Sequence, residues 1–349
     1  MLRGVVMVIM ALDHARHFFQ PQGLDPEDPS TATLAFFLTR WVTHFCAPVF
    51  VLLAGASAAL MRAKRPHTTA RFLVSRGLWL MVLEVTWVSF SWYFDFSQTH
   101  LGVLWAIGGS MVLLSGFLRW PRAALLVGLG LSVGLAAWPV DPASSLGWFF
   151  HPRHWTVWAH TIGQTYAIGP WFGVMAIGYG LGSWLVQPHA RRHLAICGVA
   201  ATLGFVVLRA LNGWGDPRPW SHHGEVGTVI DFLATSKYPP SLLFLLMTLG
   251  PALAVLPLLE RLHLRTGDAM VVFGQTPLFF YLVHLPLLHL ASLAYAQARF
   301  GTARVPSEAP VSVALILGAW IGVTVLLWPA CKAWRRVKRA RPHPFVAYL

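Results

Sequence analysis

The chain has 349 residues, 56% of them hydrophobic and 11% charged, with a mean hydropathy of +0.58. So little charge cannot cover a soluble surface, and several apolar runs reach spanning length, so the sequence reads as a polytopic membrane protein. The net charge of +13 gathers in alternate short loops and the C-terminal tail, a mark of membrane topology that excludes a nucleic-acid partner.

At ~20 residues per crossing, the pattern predicts an all-α bundle of about ten transmembrane helices. They fall near 3–20, 34–61, 72–94, 100–118, 121–139, 166–187, 193–212, 240–260, 269–296 and 312–331. No Gly/Ser linker divides the chain, so residues 1–349 read as a single domain with a basic tail from about 332. The loops after the even spans carry Arg62, Lys64, Arg65, Arg71 and Arg76, then Arg119 and Arg122, Arg191 and Arg192, Arg261 and Arg265, and the tail from Lys332 to Arg341. Arg153, Arg218, Lys237, Arg299 and Arg304 are all that the alternate loops hold. By the positive-inside rule both termini are cytoplasmic, in an inner or plasma membrane, and the longer Trp- and His-bearing loops face out. No secretory signal is expected, because Asp13, His14, Arg16 and His17 interrupt the first apolar run. A start upstream of Met1 stays open.

The first helix is the densest in meaning. Ionisable residues inside a membrane are rare unless they serve a site, and here Arg3 stands at the start while Asp13 and His14 lie deep. Eleven steps separate Arg3 from His14, about three full turns, so both lie on one stripe roughly 16 Å apart along the axis. Asp13 points about 100° away from His14, which makes it a structural group or a partner for a basic residue such as Arg40.

In the second span Pro48 has no N–H, so the carbonyl of His44 loses its helical partner and the helix opens there. Arg40 shares the face of His44 one turn earlier. Glu84 in the third span has no basic residue within a turn, so it is either protonated or paired across helices. The ninth span is bent by Pro277 and Pro286, and it presents Tyr281 and His284 on one face. His289 is rotated away from His284, so the two form no ligand pair on that helix. Cys46, Cys197 and Cys331 have no paired spacing, and neither a zinc site nor a disulfide framework is indicated. For each histidine a structural hydrogen bond between helices competes with a functional role.

These residues resemble a known group. Arg3-Gly4 followed by His14 is similar to the R-x10-H pattern of the first helix of the transmembrane acyltransferases of acyltransferase family three. The wider chain resembles bacterial proteins with a heparan-alpha-glucosaminide N-acetyltransferase catalytic domain, through Met7 to His14, His44 to Ser57, Lys237 to Leu243, and Phe273 to His284. The resemblance implies acyl transfer across a membrane, from acetyl-CoA or another acyl-CoA on the cytoplasmic side to a hydroxyl or amine of an extracytoplasmic glycan, glycolipid or small acceptor. One departure matters. In the lysosomal glucosaminide enzymes an asparagine matches His14 and the catalytic histidine follows in the next lumenal segment, whereas Gln20 to Ala32 holds none here.

On this reading His14, His44 and His284 are the candidate catalytic residues and Arg3 holds coenzyme A phosphates. Arg40, Glu84, Lys237 and Tyr281 are candidates for substrate binding. No metal is called for, and a homodimer is compatible. Two other classes fit the same polar helices: a transporter or flippase, which would consume no acyl-CoA, and a haem-binding membrane cytochrome, which would be coloured.

Overall fold

The computed structural model describes residues 1–340 apart from 138–139, 183, 185–186, 262–264 and 266. The last residues of the expected basic tail, Arg341 among them, lie outside the described residues, as do the side chains of Arg191 and Arg261 and parts of the expected fifth and sixth spans.

From the N-terminus, α1 (Leu2–Phe19) precedes α2 (Leu34–Trp41), a 3-10 turn (Val42–Phe45) and α3 (Cys46–Lys64). Then come α4 (Thr69–Leu83), a π-helical turn (Glu84–Val88), α5 (Ser89–Tyr93), strand β1 (Gln98–Leu101), α6 (Val103–Ser115), α7 (Pro121–Ala137) and the short α8 (Gly147–Phe150). Strands β2 (Arg153–Val157) and β3 (His160–Gln164) lead into α9 (Ile168–Leu181), α10 (Pro188–Leu211) and α11 (Gly224–Leu233). The remainder is α12 (Leu242–Ala254), α13 (Leu256–Arg261), α14 (Ala269–Gln275), α15 (Pro277–Phe300) and α16 (Val313–Ala340).

Among the described residues, six helical stretches are long and apolar enough to cross a membrane: Leu34–Lys64, Thr69–Tyr93, Arg192–Leu211, Leu242–Leu259, Pro277–Phe300 and Val313–Ala340. The chain is therefore a multi-pass membrane protein, and of the ten expected spans these six have the length and composition to cross. Val103–Ser115, Pro121–Ala137 and Ile168–Leu181 are apolar but shorter, below the ~20 residues a perpendicular crossing needs. Helix α1 carries Arg3, Asp13 and Arg16 within its length. The expected ninth span is split at Thr276 between α14 and α15.

The fold also departs from all-α. A three-stranded sheet of order β1-β3-β2 stands where loops were expected, except that His100 and Leu101 of β1 fall at the start of the expected fourth span; its strands are only four or five residues long and mostly polar. β1 pairs parallel with β3, Gln98 facing Thr161 and Leu101 facing Gln164, while β2 runs antiparallel to β3. Both parallel strands run directly into apolar helices, β1 into α6 and β3 into α9.

The chain divides into two compact units, each built from separated stretches. The first comprises Met1–Cys46, Trp220–Ala234 and Leu262–Leu349. Its centre is α1, against which α14, α15 and α16 pack. Gly4 makes the first of these contacts possible: a Cβ there would fall 1.7 Å from the Met270 carbonyl oxygen of α14. From α16, Trp320 Nε1 donates to the Val8 carbonyl at 2.7 Å. On the periphery α11 packs on α2 through Phe37, Ile230 and Ala234.

The second unit, Ala47–Pro219 with Thr235–Arg261, holds α3 to α10, the sheet, α12 and α13. With no hydrophobic force between helices in lipid, close backbone approach decides their packing. Gly77 of α4 and Gly108 of α6 show it, since a Cβ on either would come within 2.5 Å of the other's carbonyl oxygen.

Candidate functional site

Within the first unit, α1 and α15 bring two of the three candidate histidines into contact. His14 Nδ1 lies 2.6 Å from His284 Nε2, and the rings stack with centroids 4.9 Å apart. His284 Nδ1 lies 2.9 Å from the Phe280 carbonyl oxygen. A carbonyl only accepts, so His284 Nδ1 carries a proton; in the neutral ring Nε2 is then an acceptor, and His14 Nδ1 must be the donor. The chain of hydrogen bonds therefore leaves the basic lone pair of a neutral His14 on Nε2. Both rings are buried, with His284 fully covered. Tyr281 borders them, its ring centroid 6.1 Å from His14 and 5.6 Å from His284.

Local sequence explains the meeting. Thr276 leaves helical geometry and Pro277 restarts the chain as the first residue of α15, so α15 takes a direction of its own. His284 follows two turns later, on the face that Tyr281 shares. His289, as expected, does not join the pair; it stacks on Phe18 at 4.7 Å.

A half-buried ionic network begins one residue before His14. Asp13 Oδ1 accepts from Arg16 Nη2 at 2.8 Å, from Arg40 Nη1 at 3.0 Å and from Thr43 Oγ1 at 3.0 Å. Arg40 Nε in turn donates to Glu27 Oε1 at 3.1 Å, and that oxygen lies 3.2 Å from His44 Nε2. Two guanidinium groups thus face two carboxylates, so opposite charges meet in a half-buried setting. Asp13 takes Arg40 as its partner, one of the two roles read for it from the sequence. The 3-10 turn over Val42–Phe45 delivers Thr43 and His44 to the network, at the point where Pro48 withholds a donor from the His44 carbonyl.

Arg3 lies on the same unbroken helix as His14, so their spacing along one stripe stands. Two other candidates belong to the second unit. Glu84 is fully buried, and its carboxylate accepts from the backbone N–H groups of Gly102 at 3.1 Å and Leu104 at 2.8 Å. It thereby caps the N-terminus of α6, where unpaired N–H groups and the helix dipole favour a negative group. Lys237 lies beside Tyr238 and Tyr166, its Nζ 5.2 and 5.9 Å from their ring centroids.

Sequence reasoning passed over Glu27, Arg16, Thr43 and Gly4. For Glu27 a signal existed, since the acidic run Asp25 to Asp28 follows a helix that carries Arg16 and precedes one that carries Arg40. No comparable signal marks Gly4, whose role depends on a backbone distant in sequence.

No curated protein matches the chain in sequence. The family model of the heparan-alpha-glucosaminide N-acetyltransferase catalytic region matches residues 1–213, a stretch that holds α1, the histidine of the 3-10 turn and the whole ionic network. The chain belongs to the heparan-alpha-glucosaminide N-acetyltransferase catalytic family.

Proposed function

We propose that the protein is a transmembrane acyltransferase in which His14 is the general base. The family is one of acetyltransferases, and the observation that carries the reading is the hydrogen-bond chain from Phe280 through His284 to His14. It supports a neutral imidazole with its lone pair on Nε2, the form a general base requires.

Acetyl-CoA or another acyl-CoA enters from the cytoplasmic side, where the basic loops lie. Arg3 pairs with its phosphates, and the extended pantetheine arm spans the roughly 16 Å to His14 that the helix rise sets. The acceptor is a hydroxyl or amine of an extracytoplasmic glycan or glycolipid. As its oxygen or nitrogen bonds to the thioester carbonyl carbon, His14 Nε2 takes its proton. The carbon–sulfur bond then breaks, coenzyme A leaves as thiolate, and His14 returns the proton to the sulfur. Tyr281, beside both rings, is suited to donate to the carbonyl oxygen as charge develops there. Both termini are cytoplasmic on this reading. The break between α14 and α15 also suits a transporter or flippase, but such a protein moves substrate without cleaving a thioester.

The test uses purified protein, radiolabelled acetyl-CoA and glycolipids extracted from the host envelope. Wild type should release coenzyme A and label an acceptor, and His14→Ala should lose roughly 10²- to 10⁴-fold in rate. Full activity in His14→Ala would place the base elsewhere, and full activity in Arg3→Ala would remove the phosphate contact. Substrate movement in proteoliposomes with no coenzyme A released would favour the transporter.

A further inference from the structure

Lys237 is 6% exposed, and among the described residues no carboxylate pairs with its charge. Among the described residues, its ammonium meets only the faces of Tyr238 and Tyr166, at 5.2 and 5.9 Å from their centroids. The two rings are held against each other, 5.1 Å apart at 73°, with Tyr238 Oη 3.3 Å from Tyr166 Oη. Trp171 packs on Tyr166, ring centroids 5.1 Å apart. The acidic residue of the neighbouring turn, Asp216, is turned to the chain instead. Its two oxygens accept from the Ser236 N–H and hydroxyl at 2.8 and 3.0 Å, from the Ser241 hydroxyl at 2.5 Å, and from the Arg218 N–H at 2.9 Å.

That arrangement leaves a charge imbalance. Lysine is almost never this deeply buried unless paired, and taking an ammonium out of water costs several kcal/mol. Two tyrosine faces return only about 2 kcal/mol each at best. The backbone around the lysine is meanwhile well fixed, because Asp216 ties Ser236 on one side of it and Ser241, the N-cap of α12, on the other. A rigid, dry, aromatic-walled ammonium with three donors fits an oxyanion.

We propose that Lys237, with Tyr166 and Tyr238, forms a binding site for a carboxylate or phosphate group. The loop that carries it, Gly213 to Pro239, faces out in the topology proposed above. The anion therefore belongs to the acceptor, whose class becomes an acidic sugar or a phosphate-bearing glycolipid. This assignment of the anion to the acceptor rests on the acyltransferase reading; the site itself does not.

Thermal unfolding of the full chain in a neutral detergent tests the site without any acyl transfer. Glucuronate and glucose 1-phosphate supply the oxyanion on a soluble sugar, glucose is the uncharged control, and phosphatidylglycerol micelles supply it on a lipid. For wild type, at least one oxyanion probe should raise the midpoint by about 2 °C or more while glucose does not. Lys237→Met, which keeps the stem and fills the cage with a neutral group, should lose that response, and Lys237→Arg should keep part of it. A response to the sugar anions alone identifies a soluble acidic acceptor, and one to phosphatidylglycerol alone a lipid phosphate. Equal shifts in wild type and Lys237→Met, or no difference between the anions and glucose in wild type, would overturn the proposal. Loss of acyl transfer in an independent assay would leave these shifts untouched, so the two readings fail separately.

Discussion

His14 and His284 share one proton-bearing contact of 2.6 Å, and the Phe280 carbonyl on the far side of His284 decides which nitrogen of each ring is basic. Replacing His284 removes the acceptor that holds His14 Nδ1–H. His284→Phe keeps the ring volume but leaves His14 free to adopt the other tautomer, so the rate constant of transfer should fall roughly 10²- to 10⁴-fold. His284 does not touch coenzyme A on this reading, so KM for acetyl-CoA should move less than threefold. Steady-state kinetics separate the two. A large rise in KM with kcat preserved would mean that His284 binds substrate and does not orient His14.

The ionic network beside the pair should fail asymmetrically. Asp13 is the acceptor common to Arg16, Arg40 and Thr43, so Asp13→Ala takes one partner from each of two guanidinium groups, that of Arg16 buried and that of Arg40 half-buried, while Gln20 and Glu27 keep one bond to each. Breaking a fully buried pair from one side costs about 3–5 kcal/mol; these partly covered groups should lose less than that, and the midpoint of thermal unfolding in detergent should still fall. Glu27→Gln keeps an oxygen toward Arg40 Nε and His44 and should cost much less. If Asp13→Ala and Glu27→Gln were equally stable, Asp13 would not be the hub.

Much of the first unit was legible because its signals are local. Helical spacing placed Arg3 and His14 on one stripe, Pro48 announced the interruption at His44, and Tyr281 and His284 were read on one face, although Pro277 begins a new helix where a bend in a single one was expected. The pairing of His14 with His284 was not, since it joins residues 270 positions apart on two helices whose packing against each other no local signal announces. Glu84 defeated the sequence for a different reason. Its partner is a pair of backbone amides, and those carry no residue code. The sheet escaped because strands of four or five mostly polar residues show too little alternation to separate them from loop.

Glu84 therefore yields a prediction about folding rather than chemistry. In Glu84→Ala the N–H groups of Gly102 and Leu104 lose a fully buried acceptor, at about 1–3 kcal/mol for each group left unsatisfied. Glu84→Gln offers one oxygen but turns an amide donor toward the remaining N–H, so it should recover only part of the loss. Amide hydrogen exchange at the start of α6 reads this directly: protection should fall in the order wild type, Glu84→Gln, Glu84→Ala. Unchanged protection in Glu84→Ala would show that the cap is dispensable.

Two glycines separate close approach from mere composition. A Cβ at Gly4 would sit 1.7 Å from the Met270 carbonyl oxygen, whereas one at Gly134 meets nothing within 4 Å. Gly4→Ala must push α1 away from α14, at a cost of at least the ~1–3 kcal/mol of an overpacked core, and the purified yield should drop. Gly134→Ala lies in a helix with open space around it and should be neutral or more stable by about 0.5–1 kcal/mol. A Gly4→Ala protein as stable as Gly134→Ala would refute the contact between α1 and α14.

The sheet of the second unit should sense acid through His100. Burial, aided by nearby His154, lowers the pKa of His100 from 6.5 to about 4, while Ser89 Oγ accepts its backbone N–H at 2.9 Å and ties β1 to α5. The folded form thus holds His100 neutral at a pH where the unfolded chain would protonate it. Between about 6.5 and about 4 the unfolded state binds more protons, so stability falls as pH drops through that window and is level above it. Unfolding midpoints in detergent, taken at steps across the window, should decline in wild type and decline less in His100→Gln. The same slope in both proteins would assign the acid sensitivity to another group.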